Sequence, residues 1–447
     1  MSYSSRNGKR PDELASKSSH SHIINDEEVK SFLQQCAYPK SADQVALAEN
    51  LVHTISYPDQ NPIEHIIAVD GGYTSIPVKK TFPSSLITFF QFGELLLNTR
   101  DLDEISLMPF ISREAMSRIK ELERRKLVLP TKNVSYNNNL TLVHAVRRTI
   151  HDFFNHRDKE GNSLAATLQW LIYEGYDRPL ESYVLSRCPH CTEPRVRLMR
   201  NSFNQDYISR SCTVCNKEIY LIDIFRLHEA VDNELGAGGI LGYLTNLIEQ
   251  MNIIHTIRFI TENKSELLEK FLFIKDGPLA FFGQTANMHE PVRRLCSFLF
   301  KKHNLFLAGL EKSGAFVEHA DEIKHLLKPG EVFLLDNRHI YTYILPGPAD
   351  NPEPYAHTSY YSAKLIFKSR DERMYVITLP VDDENIVLNP QLSDFRNIGA
   401  ILFNIEKMRC DMYDNSIVPI ALANKLISLS NHPTSIILEK FAKKHTK

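Results

Sequence analysis

Features of membrane and secreted proteins are missing from this sequence of 447 residues. It has no run of about 18 consecutive apolar residues, the length that a membrane-spanning helix needs. The first residues, MSYSSRNGKRPDELASKSSHSH, contain no apolar segment of the kind found in secretory signals, and their composition is typical of a disordered tail. We therefore expect a cytoplasmic protein with no membrane contact.

Strong charge of one sign is also missing, because the formal net charge is only -2. Any contact with nucleic acid would therefore have to use local patches. The Gly-rich stretch GAGGILG (236–242) lacks the lysine of a phosphate-binding loop, and no nucleophile elbow or Ser-His-Asp order is present. With 43% hydrophobic and 24% charged residues, the composition is that of an ordinary globular protein.

The order of apolar and polar segments predicts an α/β fold. After residue 270, helices and strands alternate, but hairpin-like strands also occur, which favours a mixed sheet flanked by helices. We predict helices at 26–36 and 41–56, and another through REAMSRIKELERRKL (113–127). The predicted organisation is a disordered tail (1–25), N-terminal helices (26–60), and an α/β domain in two parts (61–182 and 223–447) separated by an insertion (183–222).

Four of the seven cysteines form two pairs within that insertion. The pairs are Cys188-Pro-His-Cys191 and Cys212-Thr-Val-Cys215, which is the spacing of a zinc ribbon. Four thiolates complete a tetrahedral Zn²⁺ shell and leave no position for water, so we expect a structural zinc site. Four free cysteines, or a redox pair, are the less favoured interpretations. The isolated cysteines 36, 296 and 410 are expected to be buried as small apolar residues.

The same insertion is rich in cations, which are Arg187, Arg195, Arg197, Arg200, Arg210 and Lys217. Such a group can contact phosphates. An ordinary solvated surface is an equally good explanation. Our hypothesis is that Arg195, Arg197 and Arg200 contact DNA or a partner subunit.

Two apolar segments end in the same way. IIAVDGG places Asp70 at the end of an apolar strand, and LFIKDGP does the same with Asp276. If these strands are neighbours, both carboxylates emerge at one end of the sheet, where a hard cation such as Mg²⁺ or Mn²⁺ would relieve their repulsion. Each following glycine permits a tight turn or the close approach of another group. Asp-Gly is also an ordinary turn, so a third carboxylate is needed.

Candidates for further site residues follow from neighbouring segments. Glu229 and Glu234 lie on a predicted helix, FRLHEAVDNEL, and would by default be solvated. Lys312 ends the apolar strand of LEKSG, where a lysine can neutralise a phosphate or simply face solvent.

Taken in order, AVDGGYT, Arg226-x-x-Glu229, FIKDGPL and LEKSG resemble the NurA nuclease family from about residue 60 to residue 430. The resemblance implies an RNase H-like fold and a Mn²⁺-dependent DNA nuclease with 5′-to-3′ exonuclease and single-strand endonuclease activity. It also implies a homodimer that docks on a hexameric HerA-type DNA-translocating ATPase, in DNA end processing or in defence against invading DNA.

The resemblance also assigns roles. Asp70 and Asp276 match the metal-binding aspartates of the two strands, Lys312 matches the lysine after the next strand, and Glu229 is the best match for the helix glutamate, with Glu234 second. One motif departs: in SIVPIALAN, Ser416 and Asn424 stand where the family has Tyr and His.

Three functions therefore stay open. The first is a DNA nuclease in which Asp70, Glu229 and Asp276 hold Mn²⁺ or Mg²⁺. The second is a catalytically degenerate nuclease-fold adaptor for DNA or the ATPase. Ser416 and Asn424 favour it, the latter because an amide is no general base, whereas the retained Asp70 and Asp276 oppose it. The third is a related nuclease that acts on RNA. It stays open because no sequence feature shows whether the protein recognises the 2′-OH that distinguishes RNA from DNA.

Overall fold

A large mixed β-sheet organises the computed structural model. The structure describes residues 19–36, 38, 40–79, 83–101, 120–136, 141–158, 160–410, 415–429 and 434–445. Its strands, numbered in chain order, are β1 (Val52–Thr54), β2 (His65–Lys79), β3 (Ser85–Asn98), β4 (Lys120–Lys132), β5 (Ser182–Arg187), β6 (Pro194–Met199), β7 (Ile208–Ser209), β8 (Ile219–Tyr220), β9 (Phe271–Asp276), β10 (Phe306–Glu311), β11 (Glu331–Leu334), β12 (Ser362–Lys368) and β13 (Met374–Pro380).

Nine of these strands form one sheet in the order β1-β11-β12-β13-β10-β9-β2-β3-β4. Strands β2, β9 and β10 are parallel neighbours, and the remaining pairs are antiparallel. The parallel strands are mostly apolar where they pair with one another, as expected for strands that are covered on both faces. The prediction of an α/β fold with a mixed sheet is confirmed.

Helices cover both faces of the sheet. Ile67 and Val69 of β2 join a core on one face, whereas Ile66 and Ala68 join a second core on the other, as the alternation of side chains along a strand requires. The described α-helices are Ser19–Ile24, Glu27–Gln35, Leu142–Asn155, Leu164–Ile172, Leu241–Lys264, His289–Lys302, Ala315–Glu322, Asn337–His339, Ile398–Lys407, Val418–Ile427 and Thr434–His445. None of them is long and apolar enough to cross a membrane.

The segment with the paired cysteines forms a small module of two antiparallel pairs, β5 with β6 and β7 with β8. Its buried residues Leu185, Leu198 and Ile219 belong to the same core as the helices Leu142–Asn155 and Leu164–Ile172. The module is therefore packed into the domain and shares its hydrophobic core.

Two predicted helices are wrong. Residues 41–56 contain only the short turns Ala42–Gln44 and Glu49–Leu51, and then β1, which pairs with β11. The predicted helix at 113–127 lies partly outside the described residues, but from Lys120 onwards the chain is β4. The reason is a period of two: Arg125, Leu127 and Leu129 are buried and alternate with exposed neighbours.

The predicted tail is also only partly described. Residues 1–18 lie outside the described residues, and Ser19–Ile24 is helical. The predicted helix at 26–36 is confirmed as Glu27–Gln35, where the side chain of Asp26 accepts hydrogen bonds from the first free backbone amides.

Candidate active site

Asp70 and Asp276 end adjacent parallel strands. β2 and β9 stay in register up to the pair Val69 and Lys275, which directly precede the two aspartates. Ala68 and Ile274 lie two residues earlier and belong to the same core, so both aspartates point towards the same face of the sheet. The expectation that the two strands are neighbours is confirmed, and both carboxylates lie at one end of the sheet.

A third carboxylate, Glu249, reaches this end from the helix Leu241–Lys264 on the other face. Its side chain is buried, and it is the largest charged influence on the pKa of Asp70. Glycine at position 71 permits this approach, because a Cβ atom there would lie 2.7 Å from Phe92 and 3.1 Å from Glu249 Oε1. The Gly71 amide donates to Asp70 Oδ1 at 2.8 Å and also stabilises the charged form of Glu249.

Two lysines neutralise two of the three carboxylates. Lys275 Nζ lies 2.9 Å from Glu249 Oε2 and donates to the carbonyl oxygen of Asp276 at 2.7 Å. Lys312 Nζ lies 2.5 Å from Asp276 Oδ2. Gly277, which follows Asp276, has φ of 92°, so its glycine is required by the backbone turn.

Asp70 is the carboxylate with the least compensation. Burial raises its pKa to about 7, and the negative charges of Glu249 and Asp276 act in the same direction. Lys312 and the Gly71 amide oppose this shift only partly. Burial also raises the pKa of Glu249, against the influence of Lys275. The cluster therefore carries unfavourable negative charge when all three groups are ionised.

A small cavity of about 130 Å³ opens beside Asp70. It is lined by β2 and by the end of the helix Val418–Ile427, which packs on β2 and β3. Asn424, one of the two departures from the motif that the sequence resembles, lies in this lining together with Asp70. Ser416, the other departure, is buried, and its hydroxyl has no hydrogen-bond partner among the described residues.

The structure does not bring Glu229 or Glu234 to the aspartates. Glu229 accepts two hydrogen bonds from Arg226, at 3.0 and 2.6 Å, and the charges that most affect its pKa are those of Arg226, His228 and Arg187. Glu234 lies exposed in the turn that follows. The predicted helix is also wrong, because Arg226 has φ of 58° and separates two short 3₁₀ turns, Leu221–Phe225 and Leu227–Ala230. Glu249 is instead the helix glutamate whose charge acts on Asp70.

The carboxylates do not surround a single point. Among the described residues, the four paired cysteines are the only group of three or more His, Cys, Asp or Glu side chains whose ligand atoms all lie within 4.8 Å of one another. Asp276 and Glu249 are therefore close enough to raise the pKa of Asp70, but the three carboxylates are too far apart, with the lysine partners in place, for three oxygens to meet on one ion.

The four cysteine sulfurs do surround a single point. Sγ of Cys188 lies 3.6 Å from that of Cys215, and Sγ of Cys191 lies 3.5 Å from that of Cys212. A tetrahedron with Zn–S bonds of about 2.3 Å has S–S edges of about 3.8 Å, so this spacing fits a tetrahedral metal site. The predicted cluster is confirmed as a group that could hold a metal ion. Cys296 and Cys410 are buried, as expected, whereas Cys36 is half-buried.

The three arginines of the module that were predicted to contact DNA or a partner are exposed. Arg195 and Arg197 are the exposed positions of β6, and Arg200 follows as an exposed residue. The two buried positions between them, Val196 and Leu198, face the core. Their contact with DNA or a partner stays a prediction.

Two site residues were missed by sequence reasoning. Glu249 is the one acidic residue in the stretch LTNLIEQMNII, and Lys275 is the one charge inside the apolar strand that precedes Asp276. A charge within an otherwise apolar buried segment is expected to be paired, and that expectation could have identified both residues.

No family model matches the sequence, and no curated protein matches it. The structure is similar to that of the NurA nuclease from Sulfolobus solfataricus, with 9% sequence identity, a TM-score of 0.33, and coverage of 96% of this chain and 94% of that chain. It is also similar to a structure of NurA with manganese, with 12% identity, a TM-score of 0.27, and coverage of 95% of each chain. At these values the similarity establishes neither family membership nor an activity.

Proposed function

We propose that this protein is a metal-dependent DNA nuclease, with Asp70, Asp276 and Glu249 as the acidic residues of its active site. The observation that carries the proposal is the convergence of these three carboxylates at the end of the parallel strands. There burial and mutual repulsion raise the pKa of Asp70 to about 7. Keeping three acids together in a folded protein is costly unless a cation or a proton compensates them.

The donor set fits a hard divalent cation. Carboxylate oxygens are the ligands that Mg²⁺ and Mn²⁺ prefer, and no thiol or imidazole is found among the three. Such an ion, when bound, supplies an activated water and stabilises the charge that develops on the phosphate. Because Lys275 and Lys312 now hold Glu249 and Asp276, the two carboxylates must leave these partners to become ligands.

Each residue then has a defined task. Asp70 is the one of the three acids that forms no ion pair with a lysine among the described residues, so it offers a carboxylate oxygen to the metal. The Gly71 amide donates to Asp70 Oδ1 and fixes the orientation of the carboxylate. Lys312, which is partly exposed, is placed to receive a substrate phosphate once it is released from Asp276. Lys275 is buried, and we assign it a positioning role for Glu249 and for the backbone of Asp276.

The wider interpretation is also a proposal. The order of sequence motifs and the mixed sheet, with acidic residues at the ends of β2 and β9, support an RNase H-like, NurA-like nuclease. The same resemblance supports a homodimer that works with a HerA-type hexameric ATPase in DNA end processing or in antiviral defence. For the Cys₄ cluster we propose a structural Zn²⁺, because four sulfur ligands leave no open coordination position.

The test is cleavage of linear double-stranded and single-stranded DNA, and of RNA, by the purified full-length protein with Mn²⁺ or Mg²⁺. We expect metal-dependent cleavage of DNA that Asp276→Asn abolishes. The control is Asp321→Asn, which changes an exposed aspartate of the helix Ala315–Glu322. Wild-type protein that leaves every DNA intact, alone and with its ATPase, would overturn the proposal, and preferential cleavage of RNA would change the substrate class.

A second candidate function is a non-catalytic adaptor that keeps the nuclease fold. Two observations favour it: lysines already neutralise Glu249 and Asp276, and Asn424 faces the cavity where the family has a potential base. A calorimetric titration separates the two functions. A nuclease should bind Mn²⁺ in addition to the Cys₄ metal, and this binding should be lost in Asp70→Asn, whereas an adaptor should bind none.

A further inference from the structure

A cavity of about 810 Å³ lies between the cysteine module and the helix Leu142–Asn155, outside the acidic site. A buried ion pair forms part of its wall. The guanidinium of Arg147 is buried and donates to both carboxylate oxygens of Asp223, at 2.8 and 2.7 Å. His190, which stands between two of the paired cysteines, bonds the carbonyl oxygen of Glu218 through Nε2 at 2.8 Å. Arg147 also donates to the carbonyl oxygen of Glu218 at 3.4 Å, so the helix is tied to the module at this wall of the cavity.

The rim of this cavity carries a surplus of positive charge. Arg148 is paired with Asp152 and Arg210 with Glu218, at 2.9 and 3.1 Å, and the four side chains are between 42% and 63% exposed. Such surface pairs are weak, so a phosphate can compete for either arginine. Lys217 also lines the cavity and makes no ion pair with any described residue.

Rings accompany these cations. Tyr136 is an exposed aromatic residue in the lining, and His144 and His190 lie with ring centroids 5.7 Å apart. Tyr220 is packed between Arg147 and His151, with a centroid distance of 4.1 Å to the imidazole, and supports the wall. Cations that follow a phosphate backbone, combined with exposed rings on which bases stack, are the elements of sites for single-stranded nucleic acid.

We propose that this cavity binds a short stretch of single-stranded DNA through Arg148, Arg210 and Lys217, with Tyr136 stacked on an unpaired base. The choice of DNA as the ligand rests on the proposed nuclease function. The cavity makes the cysteine module a substrate-binding part of the protein. It also places the DNA contacts on a different set of residues from Arg195, Arg197 and Arg200, which do not line it.

The size of the cavity and its exposed aromatic ring favour single-stranded over double-stranded DNA as the ligand. The volume is in the range of cavities that enclose a drug-sized ligand, which suits a few nucleotide units of one flexible strand. Stacking on Tyr136 requires a base whose face is free, and duplex DNA does not offer one along its length. A duplex of the same length should therefore bind less tightly.

The test measures anisotropy of a fluorescein-labelled single-stranded oligodeoxynucleotide, and of its duplex, with the full-length protein and no added divalent cation. We expect the double variant Arg210→Glu/Lys217→Glu to weaken single-strand binding at least tenfold. It should also reduce the slope of log K against log salt by about 1.4, or about 0.7 for each phosphate that the protein no longer neutralises. Lys217→Gln alone, a conservative change at an exposed residue, should reduce the slope by about half as much.

Two further variants give matched comparisons. Arg197→Glu/Arg200→Glu makes the same change of charge on the outer face of the same module and should alter affinity less than twofold. Tyr136→Ala should weaken single-strand binding about fivefold or more with the salt slope unchanged, because stacking carries no counterion release. Metal content and thermal midpoints of all variants should match those of the wild type.

The outcomes separate this site from the nuclease function. Asp276→Asn should bind the oligonucleotide as the wild type does but fail to cut it, whereas the cavity variants should fail at binding. Wild-type affinity in both Arg210→Glu/Lys217→Glu and Lys217→Gln would overturn the cavity proposal and leave the nuclease standing. An equal or larger loss of affinity in Arg197→Glu/Arg200→Glu would also overturn it and would move the DNA contact to the outer arginines.

Discussion

Glu249 and Lys275 form an ion pair of 2.9 Å that joins a helix on one face of the sheet to the strand that ends in Asp276. Their exposed fractions are only 6% and 2%. A pair buried to this degree contributes little net stability, because desolvation offsets most of the attraction. Its effect is geometric, since it fixes a helix carboxylate beside two strand carboxylates.

The first prediction concerns Glu249 as the third acid. Glu249→Gln keeps the shape of the side chain but removes a charged metal ligand, so metal-dependent cleavage should fall on the order of 100-fold or more. Initial rates on single-stranded DNA with Mn²⁺ measure the effect. Glu229→Gln is the matched control and should retain the wild-type rate. The reverse pattern would restore the assignment of Glu229 as the third acid.

The second prediction concerns the lysine of the same pair. Lys275→Met should lower the free energy of unfolding by about 3–5 kcal/mol, because Glu249 would be left as an unpaired buried charge. Urea denaturation followed by circular dichroism measures this loss. Lys270→Met, which breaks the exposed pair between Lys270 and Glu64, should cause little change. The double variant Lys275→Met/Glu249→Leu should recover much of the lost stability.

The third prediction is a pH dependence in the metal-free protein. The pKa of Asp70 is raised from 3.8 to about 7. Between these two pH values the folded state therefore keeps a proton that the unfolded state has already released. Stability should therefore decrease as pH rises from about 4 to about 7, by a few kcal/mol for a group buried to this extent. Asp70→Asn should flatten this part of the profile.

Divalent cations should act on the same part of the profile. Mn²⁺ should raise the thermal midpoint more at pH 8, where Asp70 is ionised, than at pH 5.5, where a proton competes for the site. Scanning calorimetry of the wild type and of Asp70→Asn at both pH values tests this. An equal Mn²⁺ effect in the two proteins at pH 8 would contradict the role of Asp70.

The fourth prediction concerns the Cys₄ cluster. Cys212→Ser should abolish metal binding by the cluster and destabilise the whole helical layer by several kcal/mol, because the module shares its core with the helices Leu142–Asn155 and Leu164–Ile172. Mass spectrometry of metal content and thermal unfolding measure the two effects. Cys36 lies outside the cluster, so Cys36→Ser should retain both the metal content and the thermal stability of the wild type. Independent melting of the module alone would show that the shared core is less important than proposed.

The fifth prediction compares two neighbouring arginines. Arg147→Met removes the partner of the fully buried Asp223 and should cost about 3–5 kcal/mol of unfolding free energy. Arg148 is the next residue of the same helix and forms an exposed ion pair with Asp152. Arg148→Met breaks this pair and should have little effect on stability. Chemical denaturation of the two variants gives a direct comparison, and equal losses of stability would contradict the anchoring role of Arg147.

The sequence was sufficient to predict the strands that matter for the site. Two apolar runs that end in Asp-Gly predicted β2 and β9, and the structure makes them parallel neighbours. The spacing of the paired cysteines predicted the metal-binding cluster, because local turns determine where those thiols point. In each case the signal lies within a few residues of the functional group.

Long-range contacts explain the failures. Glu249 reaches Asp70 only because the helix Leu241–Lys264 crosses the sheet there, and no local pattern encodes that crossing. The segment at β4 carries enough charge to resemble a solvated helix, yet pairing with β3 turns it into an edge strand with alternating burial. Glu229 was favoured by its spacing from Arg226, and the two residues do pair, but only with each other.

The unequal lengths of β2 and β9 have a last consequence. β9 stops at Asp276, but β2 continues to Lys79 with β3 beside it. The acidic residues thus lie in a corner between two surfaces. One surface is the end of the parallel strands, and the other is the two-stranded ribbon of β2 and β3 that projects beyond it. A linear polymer that enters a corner is confined on two sides before any side chain recognises it. Backbone architecture alone therefore restricts the directions from which a substrate can approach Asp70.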